Sequence, residues 1–117
     1  MPSERDTDRL IDIRDHIALA RQFVGASHDD FVRDKKSVLA VTRCLEIVSE
    51  ASRHLDRNWK TAHAEVPWAQ IAAAGNVYRH DDPPVHPQRV WNTVQNALPM
   101  LAAIVDAELR VRGISPE

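Results

Sequence analysis

Between Gly75 and His86 the chain reads Gly-Asn-Val-Tyr-Arg-His-Asp-Asp-Pro-Pro-Val-His, its densest run of side chains able to do chemistry. An imidazole that titrates near neutrality can take or give a proton, and a guanidinium fork fits the oxygens of a phosphate. Arg79 and His80 supply both groups on neighbouring residues, followed by Asp81 and Asp82. Such a set suits proton transfer beside a phosphate. It equally suits an ordinary helix C-terminus, where His and Arg meet the negative end of the helix dipole. Pro83 and Pro84 stop any helix that enters the stretch, because proline has no N–H and disfavours helix in the residue before it. Adjacent helical residues point about 100° apart, so Arg79 and His80 converge on one target only where the helix ends.

Two other groupings could carry chemistry. His80-Asp81 is a possible metal-binding doublet, with His54, His63 and Asp106 as distant ligands. No two histidines, however, are spaced four apart, the step that sets two ligands on one side of a helix. Neither a metal nor any other cofactor is therefore expected. Arg43, Glu46 and Glu50 recur at steps of three and four, forming a charged strip on one helical face. The strip is either a solvated set of Arg–Glu pairs or the wall of a groove.

The elements that must position these residues read as helices. Helix starts are marked between Ser3 and Thr7, with Glu4, Asp6 and Asp8 suiting the dipole; Leu10, Ile13, Ile17, Ala20 and Val24 then form one apolar face, and Gly25 ends the run. A short turn or helix from Asp29 to Arg33 leads to a second long helix. Val38, Val41, Leu45, Val48, Ala51 and Leu55 give that helix its stripe, broadened by Leu39 and Ile47. Asp56 caps a short helix containing Trp59. Pro67 takes the first position of the next, in which Ala72, Ala73, Ala74 and Gly75 make a thin face that another helix or a second copy can approach closely. Pro87 opens the last helix, whose stripe of Val90, Trp91, Val94, Leu98, Leu101, Val105 and Leu109 continues through a kink at Pro99 to Gly113. The expectation is an all-α, up-down bundle of three long helices and two or three short ones.

Composition agrees with this and excludes much else. At 117 residues the chain is expected to form one domain, 1–117, small enough for oligomerisation to help its core. Three glycines are too few for the many tight turns of an all-β fold. No apolar run approaches a membrane span, the first residues lack a signal peptide's apolar segment, and lone Cys44 reads as a buried reduced thiol, so a cytoplasmic protein is expected. A net charge of −2 gives no broad electrostatic grip on nucleic acid, so any RNA contact must come from a local patch.

Four segments together carry a resemblance. They are Phe31-Val32-Arg33-Asp34; Arg43-Cys44-Leu45-Glu46-Ile47-Val48-Ser49-Glu50-Ala51; Val66-Pro67-Trp68-Ala69-Gln70-Ile71; and Val90-Trp91-Asn92-Thr93-Val94-Gln95-Asn96-Ala97-Leu98-Pro99. In this order, around a central His80, the chain from about Arg9 to about Leu109 resembles the HepT-like HEPN domains, the toxin halves of bacterial MntA/HepT toxin–antitoxin pairs. The resemblance implies a dimer-forming helical bundle, HEPN-like, and in active members a metal-free ribonuclease with its site at the dimer groove. It also implies an MntA-like nucleotidyltransferase antitoxin as partner. The family's motif is an arginine, four residues, a histidine, one residue and a tyrosine. His80 falls on the histidine, whereas Gly75 stands at the arginine position and Asp82 at the tyrosine position. That tyrosine is where the partner attaches AMP in the family, and Tyr78 does not match it, so no AMP acceptor is assigned.

RNA cleavage without a metal needs a base for the 2′-hydroxyl, a cation for the phosphorane and an acid for the leaving 5′-oxygen. His80 is assigned to proton transfer and Arg79, beside that histidine, to the phosphate, with Asn76 and Arg43 as substrate contacts. Arg79 to His86 also fits a looser arginine–six–histidine spacing of the wider class, though with both prolines between them. Asp81 and Asp82 place negative charge where phosphates must come. An arginine restored at 75 would lie one and a half turns from His80 and is expected to strengthen the site. The rival reading is a catalytically degenerate dimer that only binds its nucleotidyltransferase partner.

Overall fold

The computed structural model describes the backbone of residues 4–80 and 86–115, with side chains for 5–75 and 86–115. Among these residues there are seven helices and no strand: α1 (Glu4–Val24), α2 (His28–Arg33), α3 (Lys35–Arg53), α4 (Arg57–Ala62), α5 (Trp68–His80), α6 (Pro87–Asn96) and α7 (Leu98–Val111).

The apolar periods decide which side of each helix is buried. Leu10, Ile13, Ile17, Ala20 and Val24 all face inward from α1, which Gly25 ends with φ at +66°, a left-handed geometry that costs glycine nothing. On α3 the stripe from Val38 to Ala51 is buried, as is Leu55 just beyond it. Leu39 does not broaden that stripe as expected; it is 53% exposed. Counting in helical steps explains this, since 39, 43, 46 and 50 form one strip, the charged outer one.

Capping fixes the short elements. Ser27 Oγ accepts from Asp30 N at the head of α2, and Asp34 Oδ1 from Lys36 N at the head of α3. Asp56 Oδ1 accepts from both Asn58 N (2.7 Å) and Trp59 N (3.2 Å), satisfying two free donors of α4. Helix α5 begins at Trp68, one residue later than expected, with the Pro67 carbonyl accepting from Ile71 N.

The last expected helix is two. The chain breaks at Ala97, and Pro99 falls in the first turn of α7, where its missing N–H leaves no bond unmade. The stripe nonetheless stays in phase, because Val94, Leu98, Leu101, Val105 and Leu109 are all buried.

Helix α3 is the hub, with α1 along one side and α5 along another, while α7 packs on α1, and α6 on α2 and α7. A polar network closes the far end. Arg112 Nε donates to Glu108 (2.9 Å), Arg112 Nη1 donates to the Thr7 hydroxyl, and Trp59 Nε1 donates to Glu108 at 3.1 Å. Those bonds join α1, α4 and α7. Among the described residues no helix is long and apolar enough to cross a membrane.

Candidate functional site

Helix α5 carries the candidate residues, so its seat on α3 determines where they stand. Ser49 is fully buried on α3 and its hydroxyl donates to the Ala72 carbonyl (2.9 Å). One turn later, Arg53 Nη2 donates to the same carbonyl (2.9 Å) and to Ser49 Oγ (3.3 Å), while Nη1 donates to Glu50 Oε2 at 3.1 Å. Gly75 lies against the same serine. A Cβ built there would stand 2.4 Å from Ser49 Oγ and 2.6 Å from Ser49 Cβ, distances that no real contact reaches.

Of the two occupants expected for the thin face of Ala72 and Gly75, it is another helix, α3 of the same chain, that packs there rather than a second copy; only Ala73 among the small residues expected there is exposed. An arginine at 75 cannot simply be restored, because even its first carbon collides with Ser49. The small residue at 75 is a packing requirement.

From this contact α5 runs on through Arg79 and His80. The side chains of Asn76, Tyr78, Arg79 and His80, and all of Asp81, Asp82, Pro83 and Pro84, lie outside the described residues. Helical period places positions 72, 76 and 79 on one stripe of α5, with 80 the next position round. At the end of the site stretch, exposed His86 precedes α6 and makes no capping bond through its side chain.

Arg43 stands round α3 from that seat, toward α1. It lines a groove of about 320 Å³ between α1 and α3 with Arg9, Asp12, Glu46, Glu50 and His54. The charged strip is therefore a groove wall, and Glu50 is paired with Arg53 and, at 3.0 Å, with His54 Nε2. Arg9 Nη1 closes one end by donating to the His54 carbonyl (2.6 Å). His54 and His63 each stand near a glutamate, His63 Nδ1 lying 3.9 Å from Glu65. Among the described residues no three His, Cys, Asp or Glu side chains gather as metal ligands would.

A second polar knot anchors the far side of the site stretch. His28 bonds Asp29 (3.0 Å) and Gln88 and meets Trp91 edge-on at 5.2 Å, tying α2 to the first turn of α6. The bond to Asp29, then that to Gln88, raises the His28 pKa above its ordinary value. On α3, burial pushes the Cys44 thiol up, in keeping with the buried thiol expected from the sequence.

Sequence reasoning missed Ser49 and Arg53 as residues that seat α5. The signal was present but thin: a serine and an arginine four apart on α3, where the stripe gives way to polar residues.

Comparison with known proteins adds a family. A model described as Ribonuclease HepT-like matches residues 13–108. A protein named "Probable ribonuclease HepT" from Thermococcus cleftensis is 36% identical over 95 residues, covering 80% of this chain and 86% of its own. A relative in Caldanaerobacter subterraneus subsp. tengcongensis is 32% identical over 71% of this chain and 74% of its own. Another, in Methanocaldococcus jannaschii, is 28% identical over 85% of this chain and 83% of its own; both carry provisional RNase names. No solved structure shows significant similarity to the chain.

Proposed function

Because the chain belongs to the HepT-like ribonuclease family, we propose that it is an RNA endonuclease, the toxin half of a toxin–antitoxin pair, and that it cleaves RNA through side chains at the end of α5. The single observation that carries this reading is the family match across residues 13–108, which takes in all of α5 and α6. His80 is the proton-transfer residue and Arg79 the phosphate clamp. Asn76 contacts the substrate from the same helix and Arg43 from α3. One copy offers too few groups for both a base and an acid, so the working form is a homodimer in which two His80 side chains share the two roles. The partner is an MntA-like nucleotidyltransferase antitoxin, and the protein acts in the cytoplasm.

The test is cleavage of labelled RNA by the purified chain. His80→Ala should lower the rate by about two to four orders of magnitude, and Arg79→Lys should not restore what Arg79→Ala loses, because an ammonium cannot form a bidentate fork. Light scattering at micromolar concentration should give a dimer. A stable monomer, or equal cleavage by wild type and His80→Ala, overturns the reading.

One observation favours a second reading. With position 75 sealed against Ser49, the site has no room for an arginine there, and a dimer that binds its nucleotidyltransferase without cutting RNA is consistent with that. Inert wild type and His80→Ala that both still dimerise and bind the neighbouring-gene product would decide for it.

A further inference from the structure

We infer that Arg53, acting with Ser49, is a positioning residue for the end of α5: their hydrogen bonds to the Ala72 carbonyl fix how far that helix slides along α3, and so where residues 79 and 80 stand. Its kinetic consequence rests on the ribonuclease reading; its geometric content does not.

A carbonyl inside a helix accepts one N–H from four residues on. The Ala72 carbonyl also receives the Ser49 hydroxyl and Arg53 Nη2, both at 2.9 Å, from a neighbouring helix. Two directional bonds on one oxygen resist sliding and rotation in a way that apolar contact, which has no direction, does not. Ile71 is the last large buried side chain of α5 among the described residues, and Ala72, Ala74 and Gly75 offer only shallow relief beyond it. Arg53 is itself held in aim, since Nη1 is bonded to Glu50, and Glu50 is also bonded to His54. Three acceptors around one planar fork are a geometry that lysine cannot copy. Gly75 completes the device, because any side chain there would push α5 off the serine.

The consequence is steep. A slip of one residue moves everything beyond it by about 1.5 Å and turns it by about 100°, while a misplacement of about 1 Å can cost a reaction roughly a hundredfold.

The test compares Arg53→Lys and Arg53→Ala with Val105→Ala, a core change on α7 remote from α5, in the full-length chain. Three quantities are measured for each: melting temperature, kcat and KM on RNA, and the NMR ring signals and titration of His80. Arg53→Lys should lower kcat about 10- to 100-fold with KM changed less than about threefold, and it should shift the His80 ring signals. Val105→Ala should lower the melting temperature and leave both unchanged. Should Arg53→Ala fail to fold, the lysine variant decides alone. If Arg53→Lys behaves like Val105→Ala, losing stability while kcat and the His80 signals stay put, Arg53 is only a staple and the inference is overturned. If the wild type cuts no RNA, the ribonuclease reading falls, and the His80 signals still decide whether Arg53 sets the helix.

Discussion

Gly75→Ala is the most informative single change, because two well-understood effects oppose each other at that position. Alanine in a helix interior is favoured over glycine by about 1 kcal/mol, so an uncrowded site would be stabilised. Here the new Cβ would meet Ser49 Oγ at 2.4 Å and Ser49 Cβ at 2.6 Å. Rotating the serine relieves the first contact but breaks its bond to Ala72, a loss of about 1 kcal/mol. It cannot relieve the second, because Cβ is fixed to the α3 backbone. The two helices must then move apart, at the roughly 1–3 kcal/mol typical of an overpacked core. Subtracting the propensity gain leaves a net destabilisation of about 1–3 kcal/mol, or a melting temperature lower by about 4–12 °C for a chain of this size. Thermal unfolding followed by circular dichroism measures it. The double variants sharpen the test. Ser49→Gly with Gly75→Ala removes both clashes and should recover about 1–2 kcal/mol of the loss as coupling, whereas Ser49→Ala with Gly75→Ala keeps the Cβ–Cβ clash and should not. A melting temperature that rises in Gly75→Ala alone would refute the close seat of α5 on α3.

Other perturbations read other parts of the fold. The His28 pKa is raised chiefly by its bond to Asp29, so its contribution to stability is complete below its ordinary value of about 6.5 and is lost as pH rises through the folded value. Melting temperature should therefore fall more between about pH 6 and pH 8 in wild type than in His28→Gln; equal falls would show that the α2–α6 tie does not depend on protonation. Asp56→Ala removes the acceptor for two N–H groups at the head of α4 and should cost about 1 kcal/mol in thermal unfolding. Cys44 is buried, and burial raises its thiol pKa, so a thiol reagent at mildly alkaline pH should label it only on unfolding. Rapid labelling of the folded chain would contradict its placement.

Much of the bundle was legible because large apolar residues at helical steps name the side of each helix that must leave water. That held for α1, for α3 and through α6 and α7. The same rule could not show the break at Ala97. A stripe states which side faces the core, and Val94, Leu98 and Leu101 keep that side whether or not the axis bends. Leu39 was misread by type, when its step to Arg43 already placed it on the outer strip. The candidate site was legible only as residue types, since spacing along α5 cannot say what crosses from another helix. Position 75 is where this mattered most. In sequence it reads both as part of a thin face for close helix approach and as an arginine lost from a motif; in the fold it is one half of a contact whose other half is Ser49, and Arg53 is bonded to that serine and to the Ala72 carbonyl. The two positions are therefore one constraint. A side chain can return to 75 only after Ser49 has given way, so Ser49→Gly is the substitution that has to come first, and Gly75→Arg made without it should lose stability before it can change any chemistry.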